Sequence, residues 1–216
     1  MKTKAWIGWA AAALAVQLAA LGWLVACHER VVQKGEEVRI PCGAFDPSEP
    51  LRGRYLNVRA ELECRDIESD TPLDEMDREA RRRLCRKLVA KLEPAGDGTA
   101  THRVARLAMH PDGDGLWVKP PHGYLGSDDQ GWVARVAFPG KLFMDERLAP
   151  QADRLFAGRG EETEAVAVYR AWKGKIVIAD VELDGVSIRE LARRARDEAS
   201  GGDPEREEAA TAGEEG

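Results

Sequence analysis

Hydrophobic and polar positions divide this chain into three stretches of different character. Trp6 to Ala26 runs twenty-one residues without a charge, Gln17 being the strongly polar exception. At 1.5 Å per residue such a helix covers the ~30 Å hydrocarbon layer of a bilayer, and a soluble core helix is rarely apolar on every side. Alternation takes over afterwards. Glu36 to Ile40 predicts a strand ending near Pro41, and Arg54 to Glu63 predicts a longer one with Leu56, Val58 and Leu62 in the core. Between Asp74 and Leu92 the period becomes four (Met76, Ala80, Leu84, Leu88, Leu92), predicting an amphipathic helix with Cys85 and Val89 widening its stripe. Arg103 to Met109, Gly115 to Lys119 and Gly131 to Phe138 read as strands separated by Pro-Asp-Gly-Asp-Gly and Pro-Pro-His-Gly. Asp145 to Ala157 predicts a short helix capped by Asp145 and tolerating Pro150 near its start. Ala165 to Trp172 and Lys175 to Leu183 flank Lys173-Gly174 as a hairpin, and Asp184-Gly185 leads into a last helix around Ile188 to Arg196.

Six or seven strands with two or three helices imply a β-rich α+β domain, barrel-like or sandwich-like, because closure or stacking removes exposed strand edges. The expected division is a membrane anchor over 1–27, one domain over 28–196, and an acidic tail over 197–216 that has nothing apolar to bury and stays unstructured.

The anchor sets the expected address. Trp6, Trp9 and Trp23 fall near the two ends of the apolar run, where indoles favour the water interface, and Lys2 with Lys4 keeps the N-terminus cytoplasmic. The domain is then extracytoplasmic, on the periplasmic side, with the lipid bilayer as its first partner. A cleaved signal peptide shares this layout, although its apolar core is usually shorter. Leu24-Val25-Ala26-Cys27 resembles a bacterial lipobox, which makes Cys27 a candidate for lipidation and the chain, on that reading, a cell-envelope lipoprotein.

Charge narrows the partners. The net formal charge is -6, but the last twenty residues hold eight acids against Arg206 alone, so the remainder is close to neutral. That excludes the basic footprint of a nucleic-acid binder. The basic residues Arg81, Arg82, Arg83, Arg86, Lys87 and Lys91 occupy the outer face of the expected helix, either as a solvated surface or against anionic headgroups.

Candidate chemistry is sparse. Cys42, Cys64 and Cys85 form no C-x-x-C pair, so they read as unpaired small apolar residues or as one disulfide plus a free thiol. Asp112 and Asp114 lack the further ligands of a calcium loop and read as a turn. His28, His102, His110 and His122 have no catalytic spacing, and no serine lies in a nucleophile motif. No catalytic, metal or cofactor residues are expected, and the chain is not expected to be an enzyme.

The stretches Gly35-Glu-Glu-Val-Arg-Ile-Pro, Phe45-Asp46-Pro47 and Leu51-Arg52-Gly53-Arg54-Tyr55-Leu56-Asn57-Val58 resemble the GDYXXLXY family of bacterial membrane-anchored proteins. Lys141 to Pro150 and Gly174 to Gly185 are similar to the family's second half. Gly53 and Tyr55 keep the naming motif, whereas its Asp is Arg54, its second Leu is Val58 and its closing Tyr is Ala60. The resemblance implies an exported, membrane-linked domain of unassigned activity. The leading expectation is an accessory or interaction domain serving an integral membrane protein. A small-ligand-binding or sensing domain is the alternative, using Asp46, Pro47, Arg52, Gly53, Arg54 and Tyr55 to recognise a carboxylate or phosphate.

Overall fold

The computed structural model describes residues 2–44, 55–96, 99–160 and 163–201. Helix α1 (Lys2–Lys34) runs unbroken through the apolar segment and beyond Cys27, and every side chain from Ala12 to Ala26 is exposed. It is long and apolar enough to cross a membrane. It ends at Gly35, whose N–H donates to the Val31 carbonyl; a Cβ there would lie 2.4 Å from that oxygen, so only glycine fits the turn.

The chain then forms β1 (Glu36–Pro41), β2 (Gly43–Ala44), β3 (Tyr55–Arg59), β4 (Glu61–Cys64), α2 (Arg78–Lys87), β5 (Val89–Pro94), β6 (His102–Ala108) and β7 (Leu116–Val118). It continues with β8 (His122–Asp128), β9 (Gly131–Ala137), β10 (Lys141–Phe143), α3 (Ala149–Ala157), β11 (Ala165–Trp172), β12 (Lys175–Leu183), β13 (Val186–Ser187) and α4 (Ile188–Gly201). Among the described residues the strands make four antiparallel sheets, ordered β1-β11-β12-β13, β10-β3-β2, β4-β9-β8 and β6-β5-β7. The expected β-rich mixture with three helices is present, but none of the sheets closes into a barrel. Their buried faces share one apolar cluster that includes Val38, Ile40, Leu56, Val58, Leu107, Val136, Leu142, Tyr169, Val181 and Ile188.

The hairpin expected at Lys173-Gly174 is present, and the turn at Asp184-Gly185, expected to lead straight into the last helix, first closes a second hairpin onto the short strand β13. Lys173-Gly174 joins β11 to β12 and Asp184-Gly185 joins β12 to β13, all four residues at positive φ as this two-residue turn demands. Elsewhere the pattern misled. The expected strand over 54–63 breaks at Ala60: β3 pairs with β10 and β2, whereas β4 pairs with β9, and Phe138 N–H donates to the Ala60 carbonyl at the crossover. Ala60 is buried there and Leu62 only half-buried.

The expected helix over 74–92 is a single 3₁₀ turn at Leu73–Glu75 followed by α2, which stops at Lys87. Residues 88, 90 and 92 are buried by strand alternation, because β5 is claimed on both edges by β6 and β7. Lys91 therefore belongs to a strand, not to the basic helix face. Helix α3 begins at Ala149 with Pro150 in its first turn. Asp145 instead closes the preceding turn, accepting from Arg147 N–H through Oδ1 at 2.7 Å. Strand β8 includes His122-Gly123, expected as a divider. At the far end α4 continues past Asp197 to Gly201.

Candidate functional site

Of the residues expected to form a binding site, Asp46, Pro47, Arg52, Gly53 and Arg54 lie outside the described residues. Tyr55 opens β3, half-buried, with its ring 5.9 Å from Phe143 and the Lys141 ammonium 4.8 Å above it. Cys27 sits half-exposed on α1. Cys42, Cys64 and Cys85 are all unpaired thiols, so the disulfide alternative is not realised. Asp112 accepts from Arg106 Nη1 at 2.9 Å, in an ion pair.

A different site emerges between α2 and the β8–β9 hairpin, as an open groove of about 650 Å³. Its construction starts at the N-terminus of α2, where the Asp77 carboxylate accepts from Ala80 N–H at 2.6 Å and caps the helix. At the other end the Lys119 ammonium donates to the carbonyls of Arg86 (2.5 Å) and Leu88 (3.0 Å), satisfying terminal oxygens the helix cannot. Leu84 faces the core and Cys85 rests on β8 at Gly123. The floor is Leu125 and Val133, both buried.

Arginines and aromatic rings form the walls. The Arg81 guanidinium lies 4.7 Å from the Trp132 ring centre, and Trp132 Nε1 donates to Asp74 Oδ1 at 2.7 Å, so a cation is stacked on an anchored indole. Tyr124 stands on the rim, 65% exposed. Arg135 is partly satisfied by Glu63 at 3.0 Å. Arg78 and Arg82, one turn apart and exposed, have no carboxylate partner among the described residues. The one carboxylate lining the groove does not neutralise them. Asp128 is held by Arg65 through two bonds of 2.7 and 3.0 Å, and that contact with the Gln130 N–H lowers its pKa to about 2. Burial pushes the Cys85 thiol above its ordinary value, so it stays protonated and apolar.

Two unpaired, exposed guanidiniums over an apolar floor, with a phenol on the rim, suit an anionic ligand carrying some apolar surface. The arginines were visible in sequence but β8 was not. A strand reading His-Gly-Tyr-Leu-Gly-Ser-Asp buries Leu125 alone and gives almost no alternation.

A strand-rich domain following one apolar helix, with no barrel closed among the described residues, defines the class of the molecule. Within it, this chain belongs to the GDYXXLXY protein family, whose profile matches residues 17–185. Neither curated proteins nor solved structures return a match.

Proposed function

We propose that the protein is a membrane-anchored accessory domain, held by α1 on the extracytoplasmic face with its N-terminus cytoplasmic. On this reading it binds an acidic segment of an integral membrane protein in the groove between α2 and β8–β9. The role is binding rather than catalysis. The observation that carries it is the pair Arg78 and Arg82, exposed and without carboxylate partners among the described residues, above the apolar floor of Leu125 and Val133. An interaction site of this kind gains orientation from bidentate arginine–carboxylate contacts and affinity from the aromatic rim. Placement rests on the apolar run of α1 and on Lys2 and Lys4 before it. The apolar run is longer than that of an ordinary leader, which supports a retained anchor over a lipidated one; intact mass of membrane-extracted protein including Met1 is the expected result.

A photo-crosslinking residue in place of Tyr124 tests the groove in intact membranes. The expected product joins position 124 to an acidic segment of a membrane protein, and Arg78→Glu with Arg82→Glu removes it. Crosslinks no different from those of a probe at Arg103, on β6, would reject the groove as the docking site.

A further inference from the structure

The path of α1 along the domain places a second segment at membrane level. Leu24, Val25 and Cys27 line a cavity of about 460 Å³ together with Lys175 and Val177, the first residues of β12. Leu24 and Val25 belong to the apolar run that ends at Ala26, and both are two-thirds exposed on the helix. Where that run leaves the hydrocarbon, the start of β12 is alongside it. Nearby, the Arg30 guanidinium lies 5.8 Å from the Trp23 ring, a pairing of the two side chains that favour the headgroup layer.

We propose that the tip of the β11–β12 hairpin, Trp172 to Lys175, is a membrane contact in its own right, seated among anionic phospholipid headgroups beside the emerging helix. The inference rests on α1 spanning the bilayer. The composition of the tip fits the occupant. Trp172 is half-buried with the Lys173 ammonium 4.7 Å from its ring, and Lys173 and Lys175 are exposed without a carboxylate partner among the described residues. The positive-φ turn at Lys173 and Gly174 projects the tip beyond Glu36, which pairs with Ala171.

A basic edge continues from there. Lys119 N–H donates to the Gly174 carbonyl at 2.8 Å, and its ammonium holds the end of α2, where Arg86 is exposed and has no carboxylate partner among the described residues. Among the described residues, acids near this edge include Glu29, bonded to Gln33 at 2.8 Å, Glu36, Glu37, which is paired with Arg170 and Arg39, and Glu79, which is paired with Arg83. Cations thus face the bilayer beside an indole, the arrangement that anionic lipid attracts and salt weakens.

Amine footprinting of the full-length protein tests this after reconstitution into vesicles of phosphatidylcholine, alone or with phosphatidylglycerol. Flotation with both compositions reports the α1 anchor separately. The expected result is acetylation of Lys173 and Lys175 several-fold slower in the anionic vesicles, restored by high salt and by Trp172→Ala, with Lys141 on β10 unchanged throughout. Equal acetylation in both compositions, in protein that floats, overturns the headgroup contact alone. Failure to float overturns the anchor and the contact together. Protection seen in native membranes but in neither vesicle assigns the tip to a protein partner and likewise overturns the proposal.

Discussion

Arg39 on β1 joins Glu182 on β12 across the intervening strand β11, through two contacts, Nη1 to Oε1 at 3.4 Å and Nη2 to Oε2. Their side chains are only 24% and 20% exposed, so neither charge is well hydrated without the other. Removing Arg39 leaves the Glu182 carboxylate half-buried and uncompensated, whereas removing Glu182 leaves Arg39 its second partner, Glu37 at 3.5 Å, and removing both leaves no stranded charge. Arg39→Ala is therefore expected to destabilise the domain by about 1–3 kcal/mol, and Arg39→Ala with Glu182→Ala by less than the sum of the two single changes. Guanidinium unfolding of the detergent-solubilised protein gives the coupling; additivity would show that the pair contributes nothing of its own.

The same residue links stability to pH. Arg39 N–H donates to His102 Nδ1 at 3.2 Å, which needs an unprotonated nitrogen. Burial lowers the His102 pKa below its ordinary value, and the opposing pull of Glu36 and Glu37 does not overcome it. Folding therefore favours the neutral ring. The stability it contributes is complete above about pH 6.5 and is lost as pH falls through the lower folded value. Thermal unfolding in wild type should show a Tm that drops from about pH 6.5 downward, and His102→Asn, which keeps an acceptor but does not titrate, should flatten that drop. An equal slope in both proteins would exclude His102 as its source.

These contacts join β1 to β6 and β12, remote in sequence, and they mark where reading the chain stops being informative. Elements with their own local signal were legible: the apolar α1, the hairpin turn at Lys173-Gly174 with the strands β11 and β12 on either side of it, and the turn at Asp184-Gly185, though not the short strand β13 that follows it. Helix α2 was legible as an element but not in its bounds: it begins at Arg78, after the Asp77 cap, and ends at Lys87. Positions 84, 88 and 92 satisfy a spacing of four, but 88, 90 and 92 equally satisfy a spacing of two, and pairing with β6 and β7 decides between them. Val89 and Pro94 were the local hints of a strand. The groove was illegible for a related reason. Its arginines lie on α2, but the surface opposite comes from β8 and β9, and nothing local announces that these strands lie against that helix.

The turn between β9 and β10 passes close against β3. A Cβ on Gly140 would sit 2.1 Å from the Val58 carbonyl oxygen, on β3, while Val58 N–H donates to the Gly140 carbonyl at 2.9 Å. Backbone lies on both sides, so no side-chain movement relieves the clash. Gly140→Ala should destabilise by about 2 kcal/mol or more. The neighbouring carbonyl of Pro139 is served by the wholly buried Tyr169 hydroxyl at 2.9 Å, so Tyr169→Phe should cost about 1–2 kcal/mol through the oxygen left unpaired. Thermal shifts of both variants check this, with Gly160→Ala, whose Cβ meets open space, as the control; three equal shifts would contradict the steric argument.

Cys42 follows β1, its N–H donating to the Ala165 carbonyl at 2.9 Å, and burial of the thiol pushes its pKa up to about 12 despite the nearby charge of Arg159. Because the thiolate is the reacting species, at mildly alkaline pH the folded protein holds only a minute fraction of Cys42 in reactive form. Iodoacetamide should therefore modify Cys42 in the folded protein more slowly than in the unfolded chain by a factor on the order of a hundred or more. Peptide mass mapping of alkylated samples reads this directly. Cys42 should also be recovered as a thiol rather than joined to Cys64 or Cys85, since none of the three is paired in the folded domain. Equal labelling rates before and after unfolding would mean that Cys42 is open to solvent, contrary to the packing beside β11.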